Sequence, residues 1–134
     1  MNPVIKILII DDDPQMRALT RASLLRYAPD SLWDMVEFPD GAQGLDHIVA
    51  AHPLPDIILL DIHMSVMDGI AFLRAYEQLA LPERGPDIYI LSTVAGEWSG
   101  PGTFPQIVRS FFEKPLTADH VHEMIQNYRL RLCS

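Results

Sequence analysis

The fold of this 134-residue chain is decided by the stretch Asp56-Ile57-Ile58-Leu59-Leu60-Asp61-Ile62-His63-Met64-Ser65-Val66-Met67-Asp68-Gly69. Its apolar run is too short for an ordinary helix and is typical of a strand buried inside a parallel sheet. The run ends on an acid, Asp61, and Asp68-Gly69 then opens a new periodic segment. We therefore predict that a buried strand delivers Asp61 to the rim of a sheet as a functional carboxylate.

Length and composition predict one domain, residues 1–134, with a single sizeable core. The chain is 49% hydrophobic and 21% charged, and its formal net charge is −8. This charge argues against nucleic acid or an anionic membrane as a direct partner, because both bind basic patches. It suits a cation or a basic protein surface better.

Several features favour a cytoplasmic location. Cys133 is the sole cysteine, so no intrachain disulfide can form. No apolar run approaches the roughly 18 residues that a membrane span requires. The first residues lack the basic and apolar regions of a signal peptide.

Strand and helix patterns alternate along the chain about five times. Strands are predicted at residues 5–10, 32–38, 56–61, 87–92 and 108–113. Helices are predicted from Pro14, where Ala18, Leu19, Ala22 and Leu25 recur at helical spacing, near residues 42–49, after Gly69, and from the N-cap Thr117. This alternation predicts a parallel sheet with helices on both faces.

The segment from Ala95 to Pro105 is the least regular part of the chain. It contains five glycines and prolines: Gly96, Gly100, Pro101, Gly102 and Pro105. These residues disfavour a long helix, so the helix expected between the last two strands should be short or irregular.

Polar residues collect where the predicted strands end: Asp11, Asp12 and Asp13, then Asp61, then Ser92 and Thr93, then Lys114. Clustered carboxylates repel one another unless a cation joins them, and oxygen ligands of this kind suit Mg²⁺. One carboxylate could then attack a phosphoryl group, with a lysine and a hydroxyl stabilising its oxygens. Asp13 is better explained as the N-cap of the first helix than as a metal ligand.

Four motifs in order give the chain a specific resemblance. They are Ile-Leu-Ile-Ile-Asp11-Asp12-Asp-Pro, Leu-Leu-Asp61 with Met67-Asp68-Gly69, Ser92, and Glu-Lys114-Pro115. Together they resemble the receiver domain of bacterial two-component response regulators, over essentially the whole chain. The resemblance implies a flavodoxin-like, doubly wound α/β fold with five parallel strands in the order 2-1-3-4-5.

The resemblance also implies a role for each site residue. Asp61 would accept a phosphoryl group from a histidine kinase or phosphotransfer protein. Mg²⁺ would be bound by Asp11, Asp12, Asp61 and the backbone carbonyl of His63. Around the phosphoryl group, the implied residues are the switch hydroxyl Ser92, the phosphoryl contact Lys114 and the switch aromatic Phe111, with a cis peptide between Lys114 and Pro115.

The chain departs from the family pattern at several positions. Ser65 replaces the usual proline after the acceptor, and Thr93 replaces the small residue after the switch hydroxyl, where its size could slow phosphoryl hydrolysis. Ile107 and Val108 replace a Gly-Ala pair. The irregular segment 95–105 falls on the face that the family uses for output or for homodimer formation.

Other interpretations stay open. The chain could be a constitutive protein-interaction module that keeps the fold without a phosphorylation cycle. It could be a phosphohydrolase with an aspartyl nucleophile, although His63 stands where such an enzyme needs an acid. Phe111 could equally be a core residue. As a receiver, the protein would catalyse only its own phosphorylation and dephosphorylation and would not be an ordinary enzyme.

Overall fold

The computed structural model describes residues 3–50, 53–64, 66–79, 81, 85–93 and 107–133. Strands and helices alternate through these residues in the order β1 (Val4–Ile10), α1 (Pro14–Tyr27), β2 (Leu32–Phe38), α2 (Gly41–Ala50), β3 (Ile57–Asp61), α3 (Gly69–Glu77), β4 (Asp87–Ser92), β5 (Val108–Glu113) and α4 (Ala118–Leu132). All the strands predicted from the sequence are present, with ends that differ by at most one residue.

The five strands form one parallel sheet in the order β2-β1-β3-β4-β5, which confirms the predicted flavodoxin-like arrangement. Ile10 at the end of β1 lies beside Leu60 of β3, and Asp61 lies beside Leu91 of β4. This register brings the carboxyl ends of the central strands to one edge, where parallel sheets of this kind bind ligands.

Apolar side chains pack on both faces of the sheet. One cluster joins Ile7 and Ile9 to Leu24 of α1 and to the buried face of α4. The other joins Leu8 and Ile10 to the buried faces of α2 and α3. Every residue of β3 is buried, as expected for a central strand with helices on both faces.

Helix α1 buries different residues from those whose spacing predicts it. Ala18, Leu19, Ala22 and Leu25 are all exposed, whereas Thr20 and Leu24 are buried. The helix therefore contacts the core through a narrow strip, and much of its apolar surface faces solvent.

Two of the departures from the family pattern lie outside the described residues. They are Ser65 and the irregular segment within residues 94–106, where the sequence predicts a short or irregular helix. Within the ranges given above, no helix combines the length and the apolar character needed to cross a bilayer.

Thr117 caps α4 as the sequence predicts. Its hydroxyl accepts from the His120 backbone nitrogen at 3.2 Å, and its own backbone nitrogen donates to His120 Nδ1 at 3.1 Å. His120 is partly buried and stacks on Phe112 at 4.3 Å between ring centroids. The start of α4 is thus held by paired hydrogen bonds.

We expect Thr117→Ala to lower the free energy of unfolding by about 1 kcal/mol, because the orphan amide of His120 loses its acceptor. Thr117→Ser keeps the hydroxyl and should stay within a few tenths of a kcal/mol of the parent chain. Urea denaturation monitored by circular dichroism measures both. Equal losses in the two variants would mean that the threonine methyl group, and not the cap, stabilises this turn.

Candidate functional site

Three acids form a cluster at the carboxyl edge of the sheet. One carboxylate oxygen from each of Asp11, Asp12 and Asp61 lies within 4.8 Å of the others. Asp11 directly follows β1 and Asp61 ends β3, and these two strands are neighbours. Asp11 is 2% and Asp61 6% exposed, whereas Asp12 is open to solvent.

Lys114 reaches this acidic cluster from the end of β5. Its Nζ lies 2.8 Å from Asp11 Oδ2 and 3.4 Å from Asp61 Oδ1, and its side chain is 6% exposed. The Lys114 backbone nitrogen donates to the Ser92 carbonyl oxygen at 2.8 Å. The peptide between Lys114 and Pro115 is cis, which confirms that prediction. A buried cation therefore bridges two buried carboxylates contributed by separate strands.

Burial raises the pKa of Asp61 from 3.8 to about 6. The Lys114 ammonium opposes this rise, while the neighbouring Asp11 carboxylate adds to it. A hydrogen bond from the His63 backbone nitrogen to Asp61 Oδ1, at 3.3 Å, also favours the ionised form. Since one lysine leaves the acidic cluster short of positive charge, a further cation would stabilise ionised Asp61.

The donor set fits a magnesium ion. It consists of hard carboxylate oxygens from two buried acids and one exposed acid, and the exposed side leaves room for water ligands. Mg²⁺ is bound in proteins by one or two carboxylates and retains several waters.

The other predicted site residues lie at the same edge or close to it. Ser92 ends β4 and is buried, and Thr93 after it is exposed. His63 is exposed two residues beyond Asp61. Phe111 on β5 is 45% exposed, so it is not a core residue. Their roles in phosphoryl chemistry stay predictions.

Close backbone contacts hold the loop that follows Asp61. The Gly69 backbone nitrogen donates to the Ile62 carbonyl oxygen at 3.0 Å. A Cβ on Gly69 would stand 2.7 Å from the Asp61 carbonyl oxygen and 2.9 Å from Ile62 Cα, so only glycine fits. The side chain of Asp68 accepts from the Ala71 nitrogen at 2.9 Å and caps α3. The Met-Asp-Gly motif thus packs its glycine against the end of β3.

Arg17 also contacts the site, and Glu37 pairs with Arg17, although the motifs did not single out either residue. The Arg17 Nη1 donates to the Asp11 carbonyl oxygen at 2.6 Å, and Glu37 pairs with the same guanidinium. The sequence hints at a role for Arg17 because it places a cation in the first turns of α1, where the helix dipole disfavours positive charge.

Comparisons with known proteins identify the family. The family model described as the response regulator receiver domain matches residues 7–126. Chemotaxis protein CheY of Bacillus subtilis is 28% identical over 90% of this chain and 93% of its own length. Protein-glutamate methylesterase/protein-glutamine glutaminase 3 of Rhodopseudomonas palustris is 35% identical over 74% of this chain, but this match spans only 25% of that protein.

Solved structures have the same fold. A two-component response regulator from Cytophaga hutchinsonii superposes with a TM-score of 0.80, at 20% identity, covering 97% of this chain and 99% of its own. The bacteriophytochrome response regulator AtBRR gives 0.77 at 21% identity, covering 95% and 94% of the two chains. With the family model matched over most of its length, this chain belongs to the response regulator receiver domain family.

Proposed function

We propose that this domain is a phosphoacceptor in a two-component phosphorelay. A histidine kinase or phosphotransfer protein donates a phosphoryl group to Asp61, and the modified domain then presents a changed surface to a protein partner. The observation that carries this proposal is the placement of Lys114, whose Nζ lies within 3.4 Å of Asp61 and 2.8 Å of Asp11 in a buried acidic cluster.

The chain's own residues supply the parts of the transfer. An ionised oxygen of Asp61 attacks phosphorus, and the bond from phosphorus to the donor atom breaks as the new bond forms. A pKa of about 6 leaves Asp61 mostly ionised at neutral pH. Lys114 neutralises charge on the phosphoryl oxygens, and the Ser92 hydroxyl donates a hydrogen bond to one of them.

A magnesium ion would be held by Asp11, Asp12, Asp61 and the His63 backbone carbonyl. When bound, it neutralises negative charge shared by the carboxylates and the phosphoryl oxygens. The raised pKa of Asp61 supports this assignment, since burial and the Asp11 carboxylate disfavour the ionised form of Asp61, which such an ion would stabilise.

Phosphorylation would act as a switch through charge. The phosphoryl group adds negative charge and acceptor oxygens that Ser92 and Lys114 can engage. Phe111 is partly exposed on the edge strand β5, beside β4, and is the side chain whose position would change on phosphorylation. The surface around β5 and α4 would then bind an output protein or a second copy of the domain, in the cytoplasm. Thr93 would slow loss of the phosphoryl group.

Esterase activity is not part of this proposal. The methylesterase name belongs to a relative of which this chain covers a quarter. Residues 1–134 are proposed to act as one receiver domain that catalyses only its own phosphorylation and dephosphorylation.

The direct test is incubation with acetyl phosphate and Mg²⁺, followed by intact-mass and peptide mass spectrometry. We expect a mass gain of one phosphoryl group, located on Asp61, and no gain when EDTA removes the metal. A chain that stays unmodified and has no Mg²⁺ affinity would instead be a constitutive interaction module. Steady turnover of a phosphate ester would revive the phosphohydrolase interpretation.

A further inference from the structure

All four polar atoms of Asp11 are held by partners. Its backbone nitrogen donates to the Phe38 carbonyl oxygen at 3.1 Å, and its carbonyl oxygen accepts from Arg17 Nη1 at 2.6 Å. Its Oδ1 accepts from the Asp13 backbone nitrogen at 3.0 Å, and its Oδ2 accepts from Lys114 Nζ at 2.8 Å. These four hydrogen bonds restrain both the backbone and the side chain of Asp11.

The same bonds determine the backbone of the exposed acid beside it. Arg17 holds the carbonyl of the peptide that precedes Asp12, and Asp11 Oδ1 holds the amide of the peptide that follows it. Since both flanking peptides are fixed, the direction in which the Asp12 side chain leaves the backbone is fixed too. Arg17 therefore bears on two of the three clustered acids.

The guanidinium of Arg17 is itself oriented from a second strand. Its Nε lies 3.3 Å from Glu37 Oε1 on β2, and Arg21 Nη1 lies 2.7 Å from Glu37 Oε2. The Arg17 side chain is 19% exposed, against 51% for Arg21. Glu37 thus offsets part of the positive charge of Arg17 and Arg21, and the planar guanidinium of Arg17 can hold Glu37 and a carbonyl oxygen at the same time.

We propose that Arg17, oriented by Glu37, is a positioning residue for divalent cation binding, because it fixes the peptide between Asp11 and Asp12. The inference rests on the proposed function only in requiring that the acidic cluster binds Mg²⁺. The contacts of Arg17 are with the Asp11 carbonyl oxygen and with Glu37. Its effect passes through the backbone, as partners that orient metal ligands usually act.

Charge alone and positioning make opposite predictions for Arg17→Met. Removing a positive charge close to an acidic cluster should strengthen the binding of a divalent cation. Releasing the peptide between the two acids should weaken it, and loss of an orienting partner commonly weakens metal affinity about tenfold or more. The sign of the change in affinity therefore separates the two effects.

The experiment is titration of the full chain with magnesium chloride, followed by isothermal titration calorimetry. We expect Arg17→Met to raise the dissociation constant for Mg²⁺ about tenfold. Arg17→Lys should raise it as well, because a lysine keeps the charge but cannot hold both the Asp11 carbonyl oxygen and Glu37 with one planar group. Arg21→Met is the control. It removes the other guanidinium that pairs with Glu37 but breaks no bond to Asp11, so the dissociation constant should stay unchanged.

Asp12→Asn shows whether the acidic cluster is the binding site, since it removes a ligand charge and must weaken binding. Thermal melts without Mg²⁺ show whether each variant is folded. If Arg17→Met does not fold, Arg17→Lys is compared with the parent chain in its place. Equal or tighter Mg²⁺ binding in folded Arg17 variants would overturn the inference and leave the proposed function standing. No binding by the parent chain would overturn the cation site and the inference together.

Discussion

Asp61→Asn should abolish the gain of phosphoryl mass from acetyl phosphate and, without divalent cations, raise the melting temperature of the protein. The first effect follows because an amide oxygen carries no charge and cannot form the acyl phosphate. The second follows from the raised pKa of Asp61, whose ionised form is unfavourable in the folded state. One carboxylate would thus be required for function and costly to the fold.

The pH dependence of the second effect has a definite sign. Because folding raises the pKa of Asp61 from 3.8 to about 6, the folded state binds more protons in this interval. The stability that protonated Asp61 provides is complete below the lower value and is lost as the pH rises through the upper one. The stability gained by Asp61→Asn should therefore be largest above pH 6 and should vanish near pH 4, as measured by urea denaturation.

Asp68→Asn is the matched control on the same loop. It makes the same chemical change at the cap of α3, where asparagine caps a helix as well as aspartate does. This variant should take up a phosphoryl group and keep the parent melting temperature. Continued phosphorylation of the Asp61→Asn protein, with the label on another residue, would contradict the assignment of the acceptor.

The sequence predicts the layout of this domain because each strand carries its own pattern. The apolar run before Asp61 indicates a strand with both faces covered, and β3 is buried throughout. Once parallel strands alternate with helices, their carboxyl ends lie at one edge, and the strand order implied by the family resemblance places β1 beside β3, which brings Asp11 and Asp61 together. The approach of Lys114 to both acids also follows from the position of its motif at the end of β5.

The sequence could not predict which surface of α1 is buried or what orients Asp11. The apolar spacing of α1 indicates a helix, but the buried side chains Thr20 and Leu24 depend on how the helix lies on the sheet. The contact from Arg17 to Glu37 joins a helix to a strand 20 positions along the chain, which no local pattern encodes. The raised pKa of Asp61 likewise depends on burial by distant residues.

The largest expected loss of stability is that of Lys114→Met, at about 3 to 5 kcal/mol at neutral pH without divalent cations. Methionine matches the length of the lysine stem but leaves the buried carboxylates of Asp11 and Asp61 without their shared cation, which lies 2.8 Å and 3.4 Å from them. Lys6→Met is the control, since the Lys6 ammonium donates to a backbone carbonyl oxygen at an exposed site. Its loss should be well below 1 kcal/mol.

Acid should lessen the effect of Lys114→Met. Lys114 lowers the pKa of Asp61 in the parent chain, so its removal should raise that pKa above about 6. Protonation then removes the unpaired charge, so the difference between variant and parent should shrink as the pH falls through the raised pKa of the variant towards about 6. Added Mg²⁺ should restore part of the loss at neutral pH, because the ion replaces the missing positive charge. Urea denaturation across this pH range, with and without Mg²⁺, measures both effects. A loss of unfolding free energy equal to that of Lys6→Met, or one that does not vary with pH, would mean that Lys114 does not compensate the charge of the buried acids.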